Sequence, residues 1–266
     1  MPQVNFITAF SITAFRYSTS QEAYDKINAY FLNEGGNILN DIVSGQVVSY
    51  DTMIYIDKGV VNPDFDFGNT FGYRAQKWNS LVNNYIDGDA LEDLKDRIKA
   101  RQSKNNKHYN ESMRFSNNHN HGKNCLLSLT ITQRANEPRP ILSFTLRSSE
   151  ITKRLLMDLL LVQRIGEEMF DIPCKFQVQV INMYQDVEAF CMLDSYKSIK
   201  GMILRAKGHK KTPYQKKVLK VLKKFKTIDI DKVKYKVHKR CVRQLQRPEG
   251  IPLSGDRPMY AKDLKL

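Results

Sequence analysis

Between Lys197 and Arg247 the chain carries nineteen basic residues against two acids, Asp229 and Asp231, a local balance of +17. The phosphate-contact candidates are Lys207, Lys210, Lys211, Lys216, Lys217, Lys220, Lys223, Lys224, Lys232, Lys234, Lys236, Lys239 and Arg240. Lysine is a compact charge on a flexible stem, suited to phosphate contact that ignores base sequence. Base readout would call for forked Arg, Asn and Gln side chains, which are few here. Such a cluster displaces counterions from a polynucleotide backbone, so its binding is salt-sensitive. The spacing also has a logic. Thr212 can cap a helix and Pro213 fits its first turn. Tyr214, Val218, Val221, Leu222 and Phe225 then form one apolar stripe, with Lys216, Lys217, Lys220, Lys223 and Lys224 largely opposite. KVKYKVHKR (232–240) reads as a strand with one basic face. It also fits a helix capped at Asp229 or Asp231 with Val233, Val237 and Cys241 inward. Either arrangement displays the lysines together.

Single-strand binders add rings on which bases stack. PDFDFGNTFGYRAQKWN (63–79) interleaves Phe65, Phe67, Phe71, Tyr73 and Trp78 with Arg74 and Lys77. Tyr73, Arg74, Lys77 and Trp78 are the candidates for strand contact there, while Tyr214 and Tyr235 lie on apolar faces and read as core. No helix-turn-helix, zinc-finger, RRM or KH signature accompanies these residues. His108, His119 and His121 sit in a polar stretch whose HNH string lacks the acids and ββα frame of a nuclease, so no metal site is expected. Without GxxxxGK[ST] or GxGxxG, no nucleotide cofactor is expected either.

Three segments carry a further pattern: FGYRAQKW (71–78), NCLLSLTITQ (124–133), and LSFTLRSSE (142–150) running into a long apolar helix. Together they resemble the thymidylate synthases and pyrimidine hydroxymethylases. In that family a Cys opening a strand is the nucleophile, and an Arg-Ser pair ending the next strand holds the nucleotide phosphate. The resemblance places Cys125, Arg147 and Ser148 in those roles. The chain departs from the pattern at Cys125, flanked by Asn124 and Leu126 rather than Pro and His. It departs again at Ile151-Thr152-Lys153-Arg154, where the family has Gly and a base-reading Asn. The resemblance implies a strand–turn–strand–helix architecture and, as an alternative function, a nucleotide-modifying enzyme, active or degenerate. Read from its own position, Cys125 is a small buried hydrophobe at a strand start, and no residue is assigned a catalytic role.

The elements that must position these residues follow from periodicity. VNFITAFSITAF (4–15) reads as a strand, and Thr19 with Glu22 has capping-box spacing ahead of a helix ended by Gly35-Gly36. Two strands are expected within GQVVSYDTMIYIDKG (45–59) and a helix over 90–101. Residues 102–123 read as a polar loop. CLLSLTITQ (125–133) and PILSFTLR (140–147) read as strands joined by a turn. Ser149 is expected to cap a core helix running to about Phe170, and CKFQVQVINMY (174–184) alternates as another strand.

The 266 residues carry a net charge of +14, yet residues 1–196 sum to −3 and residues 248–266 to zero. That asymmetry divides the chain into an α+β core (1–196), a basic nucleic-acid-binding region packed on it (197–247), and a Pro/Gly-containing tail (248–266). The expected fold is a mixed or antiparallel sheet packed on a long central helix, with a basic helix and strand at the C-terminus, and not an OB-fold. Four widely spaced cysteines, no apolar run of membrane length and no signal-peptide pattern at the N-terminus point to the cytoplasm. The expected function is single-stranded DNA binding with little sequence specificity, with homo-oligomers an open alternative and no membrane partner. A structural protein that packages duplex DNA is a further alternative. By size, lysine placement and the lack of a five-strand OB pattern, the chain also resembles the phage-encoded single-stranded-DNA-binding RNA polymerase cofactors. That resemblance implies a role in phage transcription or replication in the host cytoplasm, with an RNA polymerase as second partner.

Overall fold

Alternation at a period of two builds a single sheet. The computed structural model describes residues 13–34, 40–41, 46–63, 80, 82–83, 85–86, 89–104, 108–115, 125–186, 213–232, 242 and 246. Its strands are β1 (Ala14–Thr19), β2 (Asn40–Asp41), β3 (Gln46–Lys58), β4 (Tyr109–Arg114), β5 (Leu126–Arg134), β6 (Glu137–Glu150) and β7 (Lys175–Asp186). They lie in the order β1-β3-β7-β6-β5-β4, with β2 also paired to β3. The β1/β3 and β6/β7 pairs are parallel and the others antiparallel, so the sheet is mixed. The helices are α1 (Ser20–Glu34), α2 (Asp89–Ser103), α3 (Leu156–Met169) and α4 (Pro213–Thr227). This is an α+β architecture. Among the described residues, no helix is long and apolar enough to cross a membrane.

Register carries one apolar face across the sheet. Met113, Leu129, Phe144, Val178 and Ile54 stand side by side on five strands and are all buried, with Phe15 half-buried at the edge. Each such side chain contributes roughly 1.5–3 kcal/mol when taken from water. Three helices share the cover of this face rather than one long central helix. Leu91, Leu94 and Ile98 of α2, Ala23, Ile27 and Phe31 of α1, and most of α3 join one core with the sheet. Gly166 lets α3 come close, since a Cβ there would meet the Phe176 ring at 3.0 Å.

The α1 boundary follows its capping residues. Thr19 Oγ1 accepts the Glu22 N–H at 3.1 Å, and Glu22 Oε2 accepts the Ser18 N–H at 3.0 Å. Three expectations need correction. β4 lies inside the stretch read as a polar loop: Tyr109, Glu111 and Met113 face inward, a pattern hidden because its middle member is a carboxylate. Arg97 Nη1 (2.5 Å) and Arg101 Nε (3.0 Å) of α2 neutralise Glu111, which makes its burial tolerable and holds its carboxyl below the usual range. Residues 46–58 form one strand, not two, because Asp51 adopts the left-handed conformation (φ 48) without ending it. Finally, Ser149 caps nothing. β6 runs on to Glu150, a π-helical turn (Ile151–Leu155) follows, and the Ser149 hydroxyl donates to Asp158 instead.

Asp51 belongs to a larger feature. Buried positions along a strand normally recur every second residue, yet four adjacent strands each take one step of three. These steps are Ser49 to Thr52, Val180 to Met183, Leu146 to Ser149 and Leu126 to Leu129. Those of β6, β7 and β3 align in register, with Leu146, Val180 and Thr52 on one side of the break and Ser149, Met183 and Ser49 on the other, while the β5 step is a register shift one row away, where Leu126 and Leu129 pair with Leu146 and Phe144. The sheet therefore kinks along a line while keeping one face turned to the helices.

Beyond the kink the core becomes polar. Gln185 Nε2 donates to Asn28 Oδ1 (3.0 Å) and Thr152 Oγ1 (2.9 Å), and the Thr152 hydroxyl donates to Asn28 Oδ1 (3.1 Å). Asn28 Nδ2 donates to Tyr24 O (2.8 Å), and the Tyr24 hydroxyl to Thr152 O (2.9 Å). This network fastens α1, the π turn and β7 together. Asn28→Ala removes the acceptor that Thr152 and Gln185 share. It should cost about 1–3 kcal/mol, read as a lower urea midpoint at unchanged m; an unshifted midpoint would show that the network carries no stability.

Candidate nucleic-acid interface and nucleotide pocket

The basic helix α4 has six lysines and no acid in PYQKKVLKVLKKFKT. Its Phe225 is buried in the core, with Leu219 and Val221 half-buried beside it, while Lys216, Lys220, Lys223, Lys224 and Lys226 are exposed. Gln246 Nε2 donates to the carbonyls of Phe225 (3.1 Å) and Ile228 (2.8 Å) at the helix end. Lys216, Lys220 and Lys224 repeat at i, i+4. Like charges so placed cost a few tenths of a kcal/mol per pair, and nothing on the helix offsets this except the dipole near Lys224 and Lys226. A polyanion removes that repulsion.

Lys217 also lies in α4, and Lys232 is exposed in a 3-10 turn (Ile230–Lys232). The other basic candidates, Lys207, Lys210, Lys211, Lys234, Lys236, Lys239 and Arg240, lie outside the described residues, and so does the strand expected after Lys232. Tyr73, Arg74, Lys77 and Trp78 lie outside them as well.

The residues singled out by the synthase resemblance come together. The Arg147 N–H donates to the Cys125 carbonyl at 2.7 Å, on the line of the kink. The Cys125 thiol is free and half-buried, Arg147 is exposed and Ser148 half-buried. Sequence reasoning missed a buried pair further along β6. Ser149 Oγ donates to Asp158 Oδ2 at 2.7 Å, and burial pushes the Asp158 carboxyl up to about 6 against the opposing influence of Arg154 and of Ser149. A single acid inside LLMDLLLV was the available signal. Tyr85 stands near Cys125 and Asp158, its hydroxyl shifted upward mainly by burial, and packs edge-on to Phe115 at 5.6 Å. The cluster can hydrogen-bond a polar ligand, with Arg154 as the nearby cation.

The raised Asp158 pKa sets the sign of a pH effect. Below about pH 4 the acid is protonated in both folded and unfolded chains. As pH rises towards 6 only the unfolded chain ionises, so stability from this group falls, by about 3 kcal/mol, and then levels off. Denaturation of wild type and Asp158→Asn between pH 4 and 7 should show the variant free of this decline; parallel curves would refute it. No protein-family model matches the chain, and no curated protein matches its sequence.

Proposed function

We propose that the protein binds single-stranded DNA with little sequence specificity. Its basic C-terminal region (197–247) forms a phosphate-tracking surface on the core. The observation that carries this reading is α4, an acid-free helix anchored by Phe225 with Lys216, Lys220, Lys223, Lys224 and Lys226 in solvent. Compact ammonium groups on a docked helix suit a backbone whose bases are not read. The resemblance to phage RNA polymerase cofactors supports a role in transcription or replication, with a phage RNA polymerase as the second partner.

Reversing Lys216, Lys220, Lys223 and Lys224 to Glu should abolish single-strand binding with the circular dichroism spectrum unchanged. Neutralising them to Gln should flatten the slope of log K against log salt by about 0.7 for each phosphate that is no longer neutralised. Unchanged binding in the reversed variant would place the interface elsewhere. Equal affinity for duplex would favour a DNA-packaging role instead.

A second reading is a pyrimidine-nucleotide site, and the backbone pairing of Cys125 with Arg147 favours it. Cys125, Arg147 and Ser148 would then hold a nucleotide phosphate and face its base. A pyrimidine monophosphate should raise the thermal midpoint of wild type and not of Arg147→Ala. No shift in wild type would remove this reading and leave the first intact.

A further inference from the structure

The helices pack against the buried rows of the sheet, while the rows on its other face are half-buried to exposed. One outward row, read from β4 to β1, is Ser112, Thr130, Ser143, Gln177, Tyr55 and Arg16. Its neighbour runs from Arg114 through Thr145 and Gln179 to Met53. The centre thus offers hydroxyls and carboxamides, which donate and accept without charge, and arginines stand at both rims. The Arg16 guanidinium lies 5.7 Å from the centre of the Tyr55 ring.

Near Tyr55 the face dips into a concavity of about 740 Å³, lined in part by Arg16, Arg134 and Lys175. The carboxylates there are already engaged. Asp57 pairs with Arg139, Glu137 with Lys175, and Glu22 accepts the Ser18 N–H. Arg16, Arg114 and Arg134 make no ion pair among the described residues. At the kink, Tyr50 (54% exposed) and Ile181 (38%) extend the surface towards Arg147.

We infer that this sheet face, on which none of the described helices packs, is a second contact surface for the strand, an inference that rests on the single-strand reading above. Bases lie over Tyr55 and the hydroxyl and amide rows, and phosphates run to the rim arginines. The chemistry favours a polynucleotide over a second copy of the chain. A self-complementary interface wants an apolar centre, and here the central positions are mostly Ser, Thr and Gln, with Met53, Ile141 and Ile181 the apolar exceptions. Because α4 belongs to the helix layer, a strand touching both surfaces has to round an edge of the sheet.

The test is anisotropy of a fluorescent oligothymidylate with wild type and the double variant Thr130→Glu, Gln179→Glu, both outward positions. The expected result is at least a tenfold loss of affinity with the thermal midpoint retained. Ultraviolet cross-linking of the same oligonucleotide to wild type, which needs no variant, should yield adducts in peptides containing Tyr55 or Met53. Binding by wild type that the α4 reversal abolishes, while the double variant binds normally and no β3 adduct forms, would overturn this inference and spare the proposed function. No binding by wild type would overturn both. A wild-type dimer in sedimentation that the double variant splits would assign the face to a second copy and overturn the inference.

Discussion

The line of three-residue steps across β6, β7 and β3 is the constraint on which the rest of the structure depends. A sheet covered on one face must keep apolar residues turned to its helices, and strict alternation along a straight strand does this only while the helices follow the strand. By skipping one residue in each of three adjacent strands, the sheet bends and still presents Ser149, Met183 and Ser49 inward. Asp51 takes the left-handed conformation at its share of the line, and Arg147 stands on the line in β6. The bend brings Ser149 onto Asp158 and lets Gln185 reach Asn28 and Thr152.

The kink also divides the interior by chemistry. On one side, register alone produces rows of Leu, Ile, Val and Phe whose burial supplies the cohesion. On the other, hydrogen bonds among Asn28, Thr152, Gln185, Ser149 and Asp158 fix orientation. Polar groups of this kind specify one arrangement, because any slip leaves a buried donor or acceptor unmet. The same division sets Arg147 and Cys125 at a boundary between apolar core and polar network.

Charge is organised on the opposite principle. Within the core, Glu111 sits between Arg97 and Arg101, Asp57 meets Arg139 and Glu137 meets Lys175, so cations and carboxylates are matched. On α4 they are not. A docked helix that keeps five lysine side chains in solvent holds its repulsion in a fixed geometry. The anchoring by Phe225 matters as much as the lysines, since a tethered but undocked segment would present the same charge without a surface.

Much of this was legible in the chain. The alternation of LLSLTITQ and KFQVQVINMY sufficed for strands, Thr19 and Glu22 for a helix start, and the stripe ending at Phe225 for a helix with a basic side, because each rests on contacts within a few residues. The +17 balance was likewise a property of the sequence alone. β4 was not legible, because its inward Glu111 is tolerable only with arginines supplied by α2. Nor was the role of Ser149, since a hydroxyl before an apolar run is a helix cap unless a strand carries on past it. The kink, the Asp158 environment and the polar outward face depend on which strands become neighbours. Pairings between residues tens of positions apart, and in β3/β7 more than a hundred, decide that, and local periodicity holds no record of them.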